Sequence, residues 1–465
     1  DKKYKELFLA RDRFGKKPLY YHINDKKELT FASELTALIA NDTIPRDISF
    51  EALNCYLAIG YILSPMTLYK DIYKLEPATY LLISDRGKRI TKVRYWNYAD
   101  SFRLKTNESE STISEHLKSL LGDAVNRRMV SDVPIGSFLS GGIDSSSIVS
   151  LMKEHQKEDL HTFSVGFLQD NYNEVPDAER TAEWIGTTHH NHYCEVNDNL
   201  DLLNSAIDGF DEPFSDNSLI PTYELCKLAS QYVTVSLSGD GADELFAGYM
   251  TYKADKYYKF ARFAPYLIKK FLIKLGTLSI DQSNKLGWGY KTQQFFSGSL
   301  HQPEQAHYMW RIFFHPEERV NILGEQYREL VYDFDPFYIF KKYFEDVKDL
   351  NSLDKYLYVD GMTWLSDDIL VKVDRASMQH SLEVRCPYLD IELVDYAASI
   401  PAKLKMKGLK TKYILKKALK DVVPDFVLSK KKSGFNAPVG AWIKTNGLDE
   451  FRAFNKYVFE KKVAL

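Results

Sequence analysis

Ser140-Gly141-Gly142-Ile143-Asp144-Ser145-Ser146 carries the residue types that a pyrophosphate group needs. It follows the apolar run Ile135-Gly136-Ser137-Phe138-Leu139 and precedes Ile148, Val149, Leu151 and Met152 at helical spacing. The segment therefore reads as strand, tight turn and helix. Two glycines let a backbone approach an anion closely, and a helix start offers unpaired N–H groups with partial positive charge. Serine hydroxyls add neutral donors, and Asp144 suits the magnesium that accompanies polyphosphate. The common nucleotide loop, Gly-x-x-x-x-Gly-Lys-Ser/Thr, is a different pattern whose lysine is absent here. An ordinary strand-to-helix corner would also use Gly and Ser, so the loop needs company.

Company comes from a second segment, Leu237-Ser238-Gly239-Asp240-Gly241-Ala242-Asp243-Glu244-Leu245-Phe246-Ala247-Gly248-Tyr249. A strand end leads into a Gly-x-Gly turn, with three acids at a helix start. The helix dipole accounts for one acid as a cap. Three beside two glycines exceed capping and suit a magnesium–polyphosphate site. Val165-Gly166-Phe167 ends another strand, where backbone groups suit an adenine edge or simply a buried strand exit. Between Asp374 and Asp390, charges mix with apolar residues at near-helical spacing. An interior ion pair, Glu383 with Arg385 or Asp374 with Arg375, is an equal reading there, and His380 reads as a packed or surface histidine. In Lys430-Lys431-Lys432-Ser433-Gly434-Phe435 the first two lysines read as a solvated charge run. Lys432, beside a flexible Ser-Gly and an apolar anchor, suits a mobile loop that brings positive charge to a transferring phosphate.

These segments must be held by elements of two kinds. Residues 1 to 98 read as mostly β: strands at 6–10, 18–22 and 29–32, a short helix at 34–39, and a hairpin of 78–83 with 89–95. The polar stretch 99–111 reads as a linker. Beyond it Thr112-x-x-Glu115 reads as a capping box for a helix with Ile113, Leu117, Leu120, Leu121, Ala124 and Val125 on its apolar face. Strands at 135–139, 161–167, 191–196 and 233–238 alternate with helices, one of them at 177–185. Such alternation implies an α/β fold with a parallel sheet and ligands at the carboxyl ends of its strands. From about 249 to 430 the chain reads as largely helical.

Composition narrows the class. The 465 residues exceed one core, and a net charge of −3 does not suggest bulk binding to nucleic acid or a membrane surface. No apolar run approaches the ~20 residues that span a bilayer. Cys55, Cys194, Cys226 and Cys386 are scattered without paired spacing, which suits a reducing cytoplasm. The start at Asp1, inside a strand pair, and the end at Leu465 read as the edges of a fragment.

Together the segments resemble the glutamine-hydrolysing asparagine synthetase family, B type. The resemblance runs through Arg11 to Tyr21, Phe31 to Glu34, Ser140 to Ser146, Leu237 to Tyr249, Glu383 to Asp390 and Lys432 to Trp442. It implies an ATP-pyrophosphatase domain of the adenine nucleotide alpha-hydrolase-like kind at 112–465, with a helical C-terminal part. Ahead of it, 1–98 would be the β-rich end of an N-terminal-nucleophile glutaminase. The resemblance further implies that Ser140, Gly141, Gly142, Ser145 and Ser146 hold the pyrophosphate of ATP. Leu139, Val165, Ser238 and Gly239 match positions around adenosine, and Asp144 and Asp243 match Mg²⁺ carboxylates. Asp240 matches the acid tied to an acyl-adenylate, where well-studied members carry glutamate, and Lys432 matches a lysine on the α-phosphate. The implied reaction turns aspartate into asparagine through β-aspartyl-AMP, releasing pyrophosphate and AMP.

The family's N-terminal cysteine nucleophile has no counterpart here, so glutamine hydrolysis is not expected of the chain as given. The implied partners are aspartate, ATP and ammonia, or glutamine in the intact protein. Neither nucleic acid nor membrane is among them, and a homodimer is left open. Two alternatives stand: amidation or ring closure of another carboxylate by the same chemistry, and a tRNA-modifying enzyme or inactive nucleotide-binding scaffold. A tRNA-modifying enzyme would need paired cysteines and basic faces that this sequence lacks, whereas an inactive scaffold stays open.

Overall fold

The computed structural model describes residues 1–87, 89–156, 159–167, 173–194, 199–279, 287–431, 434–439, 442–443 and 448–463. Period-2 runs near the start pair antiparallel. β1 (Leu7–Ala10) lies beside β5 (Thr79–Ser84), which also pairs with β6 (Arg89–Arg94). In a second sheet β2 (Tyr20–Ile23) lies between β3 (Leu29–Ala32) and β4 (Ile72–Lys74). β5 buries Thr79, Leu81 and Ile83 and leaves the alternate residues half-exposed, as a strand with one packed face must. Leu9, Tyr21, Leu75, Leu81 and Ile83 close a small core there.

Two helices interrupt this β-rich region. α1 (Leu35–Ile39) falls where a short helix was expected, whereas α2 (Phe50–Ile59) lies in a stretch read as mostly β. Every residue of α2 from Ala52 to Ile59 is buried, Asn54 among them, so no solvated polar stripe marks a helical period. Ser49 caps it by accepting from Ala52 N–H, and Gly60 ends it at a φ of 90°. The stretch expected to be a linker holds α3 (Tyr98–Arg103), with Tyr98, Ala99 and Phe102 buried. α4 (Glu110–Met129) begins two residues before the expected capping box. Its cap is Ser109, which accepts from Thr112 N–H, while Ile113, Leu117, Leu121, Ala124 and Val125 are buried as expected.

The second half is built on one parallel sheet. β7 (Ile135–Phe138), β8 (His161–Phe167), β9 (Thr188–Cys194), β10 (Val235–Leu237) and β11 (Glu383–Arg385) lie in the order β11-β10-β7-β8-β9. α5 (Ile143–His155) joins β7 to β8 and α6 (Val175–Ile185) joins β8 to β9. After α7 (Asn199–Asp208), α8 (Leu219–Ala229) leads back across to β10. Right-handed crossovers then put α5 and α6 on one face and α8 on the other. The strand order therefore reverses between β7 and β10, and the crevice at such a reversal is where ligands bind in open parallel sheets.

β11 corrects the near-helical reading of its segment. Three residues are too few to display a period, and their parallel pairing with β10 comes from a chain 148 residues away: Leu237 lies opposite Arg385. Arg385 does pair with Glu383 at 2.7 Å. Asp374 and Arg375 turn away from each other, to Lys17 at 2.6 Å and Asp211 at 2.7 Å. His380 packs edge-on against Tyr223, with ring centroids 4.4 Å apart. Apart from β11, the described chain beyond β10 is largely helical, as expected: α9 (Ala242–Phe246), α10 (Met250–Ala261), α11 (Tyr266–Leu278), α12 (Trp288–Gly298) and further helices to Glu450–Lys462.

Candidate active site

Both glycine segments leave the carboxyl ends of neighbouring strands, one after β7 and one after β10, and the two loops touch. A Cβ added to Gly239 would lie 2.9 Å from Asp144 Cβ and 3.0 Å from both Asp144 C and Ser145 N. Only glycine permits that approach, so the second loop rests on the first turn of α5. Gly141 sits at a φ of 65°, and its missing Cβ would lie 2.6 Å from the Asp177 backbone.

Gly142, which has no side chain, occupies the cap position of α5, and among the described residues no side-chain cap bond forms there. The first-turn N–H groups therefore open onto this turn, with Asp144 as the acid among them. Ser140 and Ser145 hold the turn's shape: Ser140 N–H donates to Ser145 Oγ at 3.0 Å, and the two hydroxyls lie 3.0 Å apart. Ser146 is fully buried, and among the described residues its hydroxyl has no partner. Its N–H closes the first helical bond, to Gly142 O at 3.0 Å. Leu139 and Val165 are buried at the strand ends. β7 stops at Phe138 while β8 runs on to Phe167, so the β7-facing edge of Val165 lies outside the β7–β8 ladder.

The acids gather at one corner. Lys412 Nζ lies 2.5 Å from Asp144 Oδ2 and 2.5 Å from Asp243 Oδ1, with its side chain 5% exposed. Asp144 Oδ1 is buried and accepts no hydrogen bond among the described residues. Two carboxylates that share one cation form a donor set of the kind Mg²⁺ takes, with further positions left to phosphate oxygens. Gly248 makes the pairing sterically feasible, since a Cβ there would fall 1.7 Å from Asp243 Oδ1 and 2.3 Å from Lys412 Cε. Asp240 is half-exposed and accepts from Ser238 Oγ at 2.8 Å. Glu244 is buried beneath them and accepts from Tyr249 OH at 2.5 Å. Burial, reinforced by Asp243, pushes its carboxyl up to about 7.

Sequence reasoning did not single out Lys412, which lies 268 residues from Asp144 and carries no local motif. It also misplaced Lys430. That lysine is no solvated bystander: its ammonium donates to Ser140 O at 3.2 Å and pairs with Asp177 at 2.7 Å, bracing the glycine turn. Lys432 lies outside the described residues, and Phe435 beyond it packs against the main core.

Comparison with known proteins agrees with this architecture. Residues 116–454 match the family described as Asparagine synthase, and residues 1–96 match a glutamine amidotransferase domain. The glutamine-hydrolysing asparagine synthetase 1 of Bacillus subtilis is 37% identical over 453 residues, covering 96% of this chain and 67% of its own. A Methanocaldococcus jannaschii protein named for the same activity is 37% identical over 385 residues, 81% of this chain and 70% of its own. An amidase of Gibberella zeae is 24% identical over 495 residues, covering 95% of this chain and 69% of its own.

Proposed function

Because the chain belongs to the asparagine synthase family of ATP-dependent carbon–nitrogen ligases, we propose that it amidates the β-carboxylate of L-aspartate through an acyl-adenylate. The observation that carries this reading is the seating of Gly239 on Asp144 and Ser145, which brings the glycine turn and the acidic corner to one crevice. A triphosphate lying across it would meet the first-turn N–H groups of α5 together with Asp144, Asp243 and Lys412. Mg²⁺ held by Asp144 and Asp243 would neutralise phosphate charge.

The first step joins an aspartate carboxylate oxygen to the α-phosphorus and breaks the α–β phosphoanhydride bond, releasing pyrophosphate. Two anions must meet, so the cations and N–H donors around the phosphates do most of the work. Lys412 stands ready to follow the negative charge onto the departing pyrophosphate. Lys432 is assigned to the α-phosphate, and Asp240 to the acceptor side of the adenylate. Ammonia then attacks the acyl carbon, loses a proton and expels AMP.

The amidase relative favours one alternative, a different carboxylate on the same apparatus. Pyrophosphate and AMP release, measured with ATP, MgCl₂ and an ammonium salt over a panel of carboxylic acids, separates the two. Turnover greatest with aspartate is expected. Strong turnover with another acid and none with aspartate would overturn the substrate assignment.

A further inference from the structure

α11, which packs lengthwise against α12, reverses the usual division between core and water. On α11, Lys269 is buried, its ammonium donating to Ser299 O at 2.9 Å beyond the end of α12. Gly276, two turns on, sits against α12, where a Cβ would lie 2.8 Å from Gln293 N. On the opposite side Leu267, Ile268, Phe271, Leu275 and Leu278 fall within an arc of about 100° at 100° per residue. Leu267 is 78% exposed and Leu278 76%. Phe260 and Phe263, at the end of α10 and just after it, are likewise exposed, at 78% and 79%. A helix that only covered a core would show its lysine to water and its leucines to the protein.

The rim of this stripe is basic. From Lys256 to Ser279 the sequence has six lysines and arginines and no acid, in a chain whose net charge is −3. Lys259, Arg262, Lys270 and Lys274 are exposed. Two of them lie over the aromatics: Arg262 is 5.1 Å from the Phe263 ring centre and Lys270 4.9 Å from that of Tyr266. The overall charge, which suggested no membrane contact, averages this segment away.

We propose that the exposed face of α11, with the residues that lead into it from Phe260, docks on an anionic lipid bilayer. Its apolar side chains enter the headgroup boundary, and its lysines and arginines meet the lipid phosphates. At 13 residues α11 lies on the membrane rather than through it, in keeping with the lack of any spanning helix among the described residues. Charge chooses the occupant. A second copy apposed through the same face would set one basic rim against another, whereas an anionic surface complements it.

Co-sedimentation with vesicles of phosphatidylglycerol and phosphatidylcholine in equal parts, against phosphatidylcholine alone, tests the proposal. Binding at least about tenfold tighter to the anionic vesicles is expected, with most of it lost in about 0.5 M NaCl. The pair Leu267→Glu and Phe271→Glu should abolish binding. The milder pair Lys270→Gln and Lys274→Gln should weaken it about tenfold to thirtyfold. Pyrophosphate release in solution should be unchanged in both. Equal binding to neutral vesicles, or no binding to either, would overturn the proposal. So would a dimer in sedimentation velocity that the Leu267→Glu and Phe271→Glu pair disperses.

Discussion

Lys412 is the residue on which the electrostatics of the site turn. Replacing it with methionine would leave the carboxylates of Asp144 and Asp243 without their shared cation in a largely buried corner. Losing one partner of such a cluster costs on the order of 3–5 kcal/mol. We expect Lys412→Met to lower the melting temperature, and MgCl₂ to raise it more in the variant than in the parent. Equal response of the two to MgCl₂ would count against a metal at this corner. Asp144→Asn and Asp243→Asn should each reduce pyrophosphate release on the order of a hundredfold or more, because charge stabilisation at a transferring phosphate is lost. Unchanged rates in either variant would remove that residue from the site. At this scale the sequence was legible where residue types cluster along the chain, as at Ser140–Ser146 and Ser238–Glu244. It was illegible where the partner is remote. Lys412 and Lys430 look like any surface lysine until the fold brings them to Asp144 and Ser140.

At the scale of elements, the account rests on two turns in contact. Gly239→Ala would force a Cβ into the first turn of α5, a displacement worth about 1–3 kcal/mol of overpacking. The expected result is lower stability by urea unfolding together with at least about a tenfold loss of activity. Normal activity would mean that the two loops need not touch. The strand-turn-helix at β7 and α5 could be read directly, because an apolar run meets a helical period across two glycines. α2 could not, since it is buried on nearly every side, nor could β11, whose pairing is wholly long-range. The cap of α4 was misread by three residues. Ser109→Ala should cost about 1 kcal/mol in thermal unfolding. Thr112→Ala should cost less, and the reverse order would restore the capping box.

For the molecule as a whole, a buried charge network in the helical region sets a dependence on pH. His307 lies 2.9 Å from Asp255 and 3.0 Å from Asp360, and Asp360 also accepts from Arg311 and Tyr252. Burial disfavours the imidazolium, but the two carboxylates override it and push His307 up to about 9. Burial likewise opposes ionisation of Asp360, which Arg311 and His307 nonetheless hold down to about 2. Since the folded pKa of His307 lies above its unfolded value near 6.5, its contribution is complete below about pH 6.5 and lost as pH rises through 9. Stability should therefore decline over that window by up to about 3 kcal/mol. The decline should be smaller in His307→Gln, and an equal decline in both would contradict the pairing.

The central claim is that the turn at Ser140 and the corner at Asp243 grip one nucleotide. Its most direct test is a crystal structure of the protein with a non-hydrolysable ATP analogue and Mg²⁺. The triphosphate is expected across the first turn of α5, with the metal held by Asp144 and Asp243. A nucleotide seated elsewhere, with Asp144 and Asp243 still closed on Lys412, would contradict it.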